Sequence, residues 1–147
     1  MDFVELISDF SERHGIANLV AEDNAAALDI DGIIVTLVAA GDTLSVSAEI
    51  GEPPTDGRAD FAELMLEANL QLEAFFAKEP GNGAYVLARR LSLPTLEPDS
   101  FDAALESLVN LAETWRRLLV DFRPVAKAAA ERVKETPIFG SNGFVQV

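Results

Sequence analysis

Two turn dipeptides, Asp31-Gly32 and Gly41-Asp42, bracket residues 33–40, and this spacing constrains the fold more than any other feature of the chain. Each is a two-residue turn of the kind that needs positive φ, the geometry that closes a β-hairpin. Each therefore sets a register. Across the first, Ile30 faces Ile33 and Leu28 faces Val35. Across the second, Leu37 faces Val46, Val35 faces Ala48 and Ile33 faces Ile50. Both turns place one apolar set on a common face: Leu28, Ile30, Ile33, Val35, Leu37, Leu44, Val46, Ala48 and Ile50. Two independent turns agreeing on one face predict an antiparallel meander over residues 25–50. The opposite face (Ala25, Ala27, Asp29, Ile34, Thr36, Val38, Ser45, Ser47 and Glu49) is small, mixed and poor in charge for a solvated surface. A partner or a covering helix would each account for it.

Around the meander the pattern is helical. Phe3, Leu6, Ile7 and Phe10 recur at helical spacing over residues 2–14, and Gly15 supplies the stop. Residues 51–58 read as a loop. Residues 59–78 read as a second helix with two apolar stripes. One is Phe61, Leu64, Met65, Ala68, Leu72, Phe75 and Phe76; the other, rotated from it, is Ala62, Leu66 and Leu70. A monomer's surface helix needs one stripe, so a second implies burial on two sides, with another subunit a natural cover. After a break at residues 79–83, residues 84–93 read as a strand or hairpin. Residues 98–122 read as a long helix with Phe101, Leu105, Leu108, Ala112, Trp115, Leu119 and Phe122 as its stripe. The expected fold class is α+β, an antiparallel sheet with the order α-β-β-β-α-β(β)-α over residues 1–123. Residues 124–147 read as an extension, with a short Ala-rich helix expected over 125–135 and a strand-like tail after it.

Composition narrows the function classes. No cysteine is present, which excludes a disulfide framework, a thiolate metal site and a cysteine nucleophile, and suits a reducing cytoplasm. A net charge of -14, from 25 acidic and 11 basic residues, repels phosphate backbones and anionic membrane surfaces. No secretory signal and no apolar run of membrane-spanning length is visible, so a cytoplasmic location without membrane insertion is expected.

No catalytic, cofactor or metal residue is expected from the sequence. His14, the only histidine, falls at a helix C-terminus, where a cation suits the helix dipole. Asp29-x-Asp31-Gly32 resembles the start of a calcium loop, but Val35, Thr36 and Leu37 follow where oxygen ligands are required. Gly81-x-Gly83 is too short for a dinucleotide fingerprint and precedes a strand. Arg89-Arg90 and Arg116-Arg117 are basic pairs that local salt bridges to surface carboxylates explain, and Trp115 falls at core spacing. Neither an enzyme nor a small-molecule binder is expected.

Three stretches resemble the class I type III secretion chaperones, the Tir chaperone family: the helix Phe3 to His14 with the meander after it; Ala68-Asn69-Leu70 with the later strand Tyr85-Val86-Leu87; and Leu91-Ser92-Leu93-Pro94 leading into a long helix with Trp115-Arg116-Arg117. The resemblance covers roughly residues 1–122. It implies a homodimer, associated through the second helix and nearby strand, that binds an N-terminal segment of a secreted effector. It also implies no cofactor and no catalysis. The residues then suggest where partners sit. Val4, Ile34 and Val38 are expected at the effector contact, and Ala62, Leu66 and Leu70 at the dimer interface. An extended effector can lay apolar side chains into grooves or add a strand to a sheet edge. The alternative is an interaction or regulatory module of the same fold with no secretion role.

Overall fold

Asp2 opens the first helix with a reciprocal cap. Its carboxylate accepts from the Glu5 backbone N–H at 2.8 Å, and the Glu5 carboxylate accepts from the Asp2 N–H at 3.0 Å. Such a box satisfies two of the N–H groups that a helix start leaves without partners. In the computed structural model, which describes residues 1–17, 19 and 21–123, α1 runs Phe3–His14 and ends at Gly15 in the left-handed region. Its buried residues are Phe3, Leu6, Ile7 and Phe10, the stripe read from spacing. The expectations for residues 124–147 lie outside the described residues.

The meander forms as expected, with β1 Ala25–Ile30, β2 Ile33–Ala40 and β3 Thr43–Gly51. Asp31 and Gly32 both take positive φ (51° and 87°), and Gly41 takes 60°. The register is the one that the turns dictate: Ile30 opposite Ile33, Leu28 opposite Val35, Val35 opposite Ala48 and Leu37 opposite Val46. The expected Ile33–Ile50 pair is not part of the ladder, which ends at Val35–Ala48. Both side chains are nevertheless buried on the common face. Every residue of that apolar set is buried except Ile30, which is partly so.

One expected element is corrected. The helix read over residues 59–78 is two elements: α2, Arg58–Asn69, and a strand β4, Phe75–Lys78. Phe75 and Phe76 belong to the strand. β4 pairs antiparallel with β5, Tyr85–Ser92, placing Phe75 opposite Ala88 and Phe76 opposite Leu87. The physical reason is the break at residues 79–83. It closes a hairpin, with Glu79 N–H donating to the Ala84 carbonyl at 2.7 Å. β5 needs an edge partner, and the residues just upstream supply it. Asn69 reinforces the change, its side-chain oxygen accepting from the Phe76 N–H at 2.7 Å.

The sheet has five strands in the order β1-β2-β3-β5-β4. A 3-10 turn, Leu93–Thr95, leads to α3, Pro98–Val120, which ends two residues short of the expected Phe122. α3 lies across the apolar face, mainly against β3, and α1 packs beside it. At one end of this core Phe61, fully buried, stacks on Tyr85 with centroids 6.0 Å apart and meets Trp115 and Phe122 edge-on at 6.0 and 5.1 Å.

Candidate partner-binding surfaces

Because side chains alternate along a strand, burying one face of the meander turns the other outward. Ladder pairing makes that outer face continuous. Ala27, Thr36, Ser47, Ala88 and Phe75 form one row across all five strands. Val38 pairs with Ala25 and Ser45, and Ile34 pairs with Asp29. Ile34 and Val38 are 43% and 42% exposed, and Ala27 is exposed. No helix among the described residues therefore caps this part of the face. At the far edge the Arg90 guanidinium carbon lies 4.8 Å from the centre of the Phe75 ring, a cation–π contact.

The three residues expected at an effector contact do not share one surface. Ile34 and Val38 lie together on β2, whereas Val4 is on α1, 63% exposed. Val4 lines a separate hollow of about 400 Å³ with Ile7, Ser8, Leu19 and Ala21.

The second surface is α2. Phe61 and Met65 point into the core, which uses one side of the helix. Ala62 is partly buried against that core, Leu66 is 67% exposed on the helix, and Leu70, expected within the helix, instead falls just past its end at the C-cap, 90% exposed. Leu64, expected in the inner stripe, is also exposed, so α2 offers more apolar surface than the stripes suggested. Exposed Leu118 and Val120 near the end of α3 were not singled out by sequence reasoning. Their flanking positions on either side of buried Leu119 were the available signal.

Charge is arranged to hold elements together. Asp102 on α3 accepts from both terminal nitrogens of Arg13 and lies 3.1 Å from His14 Nε2, tying α3 to the end of α1. Arg13 also bonds Asp9 one turn back at 2.7 Å. The Arg13 hydrogen bonds, opposed by partial burial and aided by His14, hold the Asp102 carboxyl below its ordinary range; Asp102, more than Asp9, raises Arg13. The basic pairs split their roles. Arg89 and Arg117 form salt bridges to Glu73 and Glu113, whereas Arg116 donates to the Gly32 carbonyl at 2.8 Å and Arg90 covers Phe75. Among the described residues no group of three or more His, Cys, Asp or Glu side chains is arranged to hold a metal ion, and no helix is long and apolar enough to cross a membrane.

The open sheet face and the exposed apolar residues of α2 leave surface free for partners, and comparison gives the class. Residues 5–116 match the model of the Tir chaperone protein (CesT) family. The chain belongs to that family, the effector-binding chaperones of type III secretion that its residues resemble. No curated protein matches the chain. Among solved structures it is similar to the ExsC–ExsE complex (TM-score 0.68, 23% identity, covering 86% of this chain and 100% of that one). It is also similar to the HopA1–SchA chaperone–effector complex (TM-score 0.64, 16% identity, 77% and 91%). A third likeness is to YbjN from E. coli, put forward as a transcription regulator (TM-score 0.58, 15% identity, 78% and 89%).

Proposed function

We propose that this protein acts in the cytoplasm as a homodimer that keeps the N-terminal segment of a secreted effector soluble and export-competent, without catalysis. The observation that carries the reading is exposed apolar surface on the outer sheet face and at α2. Ile34 and Val38 lie on the open sheet face, and Leu66 lies on the outer side of α2 with Leu70 at its C-cap. Solvent-exposed apolar patches of this kind favour association. We assign the α2 patch, with Ala62 at its buried edge, to a second copy of the chain. We assign Ile34, Val38 and the hollow at Val4 to the effector. Likeness in fold to chaperone–effector complexes supports the assignment.

An effector segment that arrives unfolded loses conformational entropy on binding, so it needs a long contact surface. The open sheet face and α1 offer separated apolar footholds along such a path. The reading is tested in the native host by purifying the tagged chain, identifying bound proteins by mass spectrometry and assaying their export with and without it. Loss of export of a bound protein is expected. A same-fold regulatory module would leave export of every bound protein intact, and that outcome would end the chaperone reading.

A further inference from the structure

Between the C-terminal half of α1, the β1–β2 turn and the first half of α3 runs a groove of about 800 Å³. It contains none of the residues assigned above to effector or dimer. Its floor is apolar: Phe10, Ile16, Ile30, Leu105 and Val109. Ile16 and Ile30 are only partly buried, so the floor still presents apolar surface to solvent. Its rim is acidic, carrying Asp29, Asp31, Asp99, Asp102 and Glu106.

The five rim carboxylates outnumber the cations beside them, Arg13, His14 and Arg116. Arg13 and His14 both engage Asp102 alone among the rim carboxylates. Arg116 donates to the Gly32 carbonyl, a bond that leaves its charge in place, and makes no ion pair with a rim carboxylate among the described residues. Asp29 accepts from the Gly32 N–H at 2.7 Å, a bond that leaves its charge in place. Among the described residues Asp31, Asp99 and Glu106 make no ion pair. Asp99 and Glu106 lie two helical turns apart on one side of α3, with Asp31 across the groove at the hairpin turn.

We propose that this groove seats a basic amphipathic helical segment of the effector, an inference that rests on the chaperone reading above. Apolar side chains spaced at i, i+3 or i+4 and i+7 cover the floor between α1 and α3, and lysines or arginines beside them meet Asp31, Asp99 and Glu106. Charge complementarity selects this occupant. A second copy of the chain, at a net charge of -14, would bring its own negative field to a negative rim. An acidic segment would meet the same repulsion.

The test is fluorescence anisotropy of a short labelled peptide with leucine on one helical face and arginine on the other, titrated with the full-length chain. Its counterpart has every arginine replaced by glutamate. The arginine peptide is expected to bind, more weakly as salt rises, and the glutamate peptide is not. The triple variant D31N/D99N/E106Q should bind the arginine peptide about tenfold less tightly with its melting temperature retained. The variant E52Q/D56N/D60N, which removes the same charge elsewhere, should bind it like the parent. Equal binding of both peptides, or equal weakening by the two triple variants, would overturn the proposal. A K127A/E131A/R132A/K134A/E135A variant, which leaves the net charge nearly unchanged, that binds the peptide more tightly than the parent would show the chain's own tail to be the occupant, and would also overturn it. Failure here leaves co-purification and export by the unmodified chain intact, whereas failure of the chaperone reading removes those first.

Discussion

Asp102 receives Arg13 and His14 together, although 89 and 88 residues of sequence separate them, and so joins the start of α3 to the end of α1. The Arg13 hydrogen bonds are the main reason that its carboxyl sits below the ordinary range. A carboxylate with a lowered pKa in the folded state binds its proton less well there than in the unfolded chain. Its stabilisation is therefore complete above the unfolded value of about 3.9 and fades as pH falls through the folded value. Asp102→Asn should lower the melting temperature near neutral pH, and the gap to the parent should shrink as the pH is taken down towards about 3. Thermal melts of both proteins across that range check this. A gap that is constant with pH would mean that the ion pair contributes nothing.

The outer side of α2 and its C-cap residue predict oligomeric state. Leu66 and Leu70 are 67% and 90% exposed, so changing them removes little from the subunit's own core. Leu66→Glu with Leu70→Glu should give a monomer by multi-angle light scattering. At high dilution, where the parent is also dissociated, the unfolding free energies of parent and variant should agree within about 0.5 kcal/mol. An unmodified chain that is monomeric at every concentration would defeat the dimer assignment.

The sheet face predicts effector affinity without a matching loss of fold. Ile34→Lys and Val38→Lys place charge on a face that is already open, so each should cost no more than about 1 kcal/mol of stability. Each should weaken binding of a co-purified effector about tenfold, the size expected for a residue central to an apolar contact. Isothermal titration calorimetry and chemical denaturation separate the two effects. Severe unfolding with either substitution would mark that residue as core.

The meander was readable because local chemistry decides it. Asp31-Gly32 closes the first hairpin with positive φ at both residues, and the apolar alternation then leaves one register. The α2–β4 boundary was not readable from spacing. Phe75 and Phe76 continue the period that begins at Phe61 and Met65, and nothing local to residues 70–78 tells helix from strand. Pairing with β5 decides it, and that is a tertiary effect. The break at residues 79–83 before Tyr85 was the available clue, since a strand following a tight turn asks for a partner on its other side. The partner surfaces were half legible. Residues turned outward could be read from alternation, but whether a helix covered them depended on where α1 and α3 packed. The Asp102 clamp, which joins distant positions, left no sequence signal.

The aromatic cluster predicts the largest stability loss. Phe61 is fully buried and touches Tyr85, Trp115 and Phe122, so α2, β5 and α3 all lean on one ring. Phe61→Ala should cost about 3–5 kcal/mol through lost burial and the cavity left behind. Trp115 is the chain's only tryptophan, so its emission reports the site directly and should shift to the red as water reaches the indole. A change below about 1 kcal/mol would mean that the neighbours collapse into the gap.

Asn69 predicts a coupling between the α2 surface and the sheet edge. Its side-chain oxygen accepts from the Phe76 N–H at 2.7 Å, in a partly buried position that ties the last residue of α2 to β4 across residues 70–74. β4 is an edge strand, so an N–H turned away from β5 has no ladder partner and relies on this side chain. Asn69→Ala leaves that donor without an acceptor and should cost about 1–2 kcal/mol in urea denaturation. Asn69→Asp keeps the oxygen and should recover most of the loss. If the end of α2 and β4 carry the dimer together, the alanine variant should also dissociate at higher concentration than the parent, with the aspartate variant between them. Light scattering over a dilution series measures this, and identical dissociation of all three proteins would show that the helix end and the strand act independently.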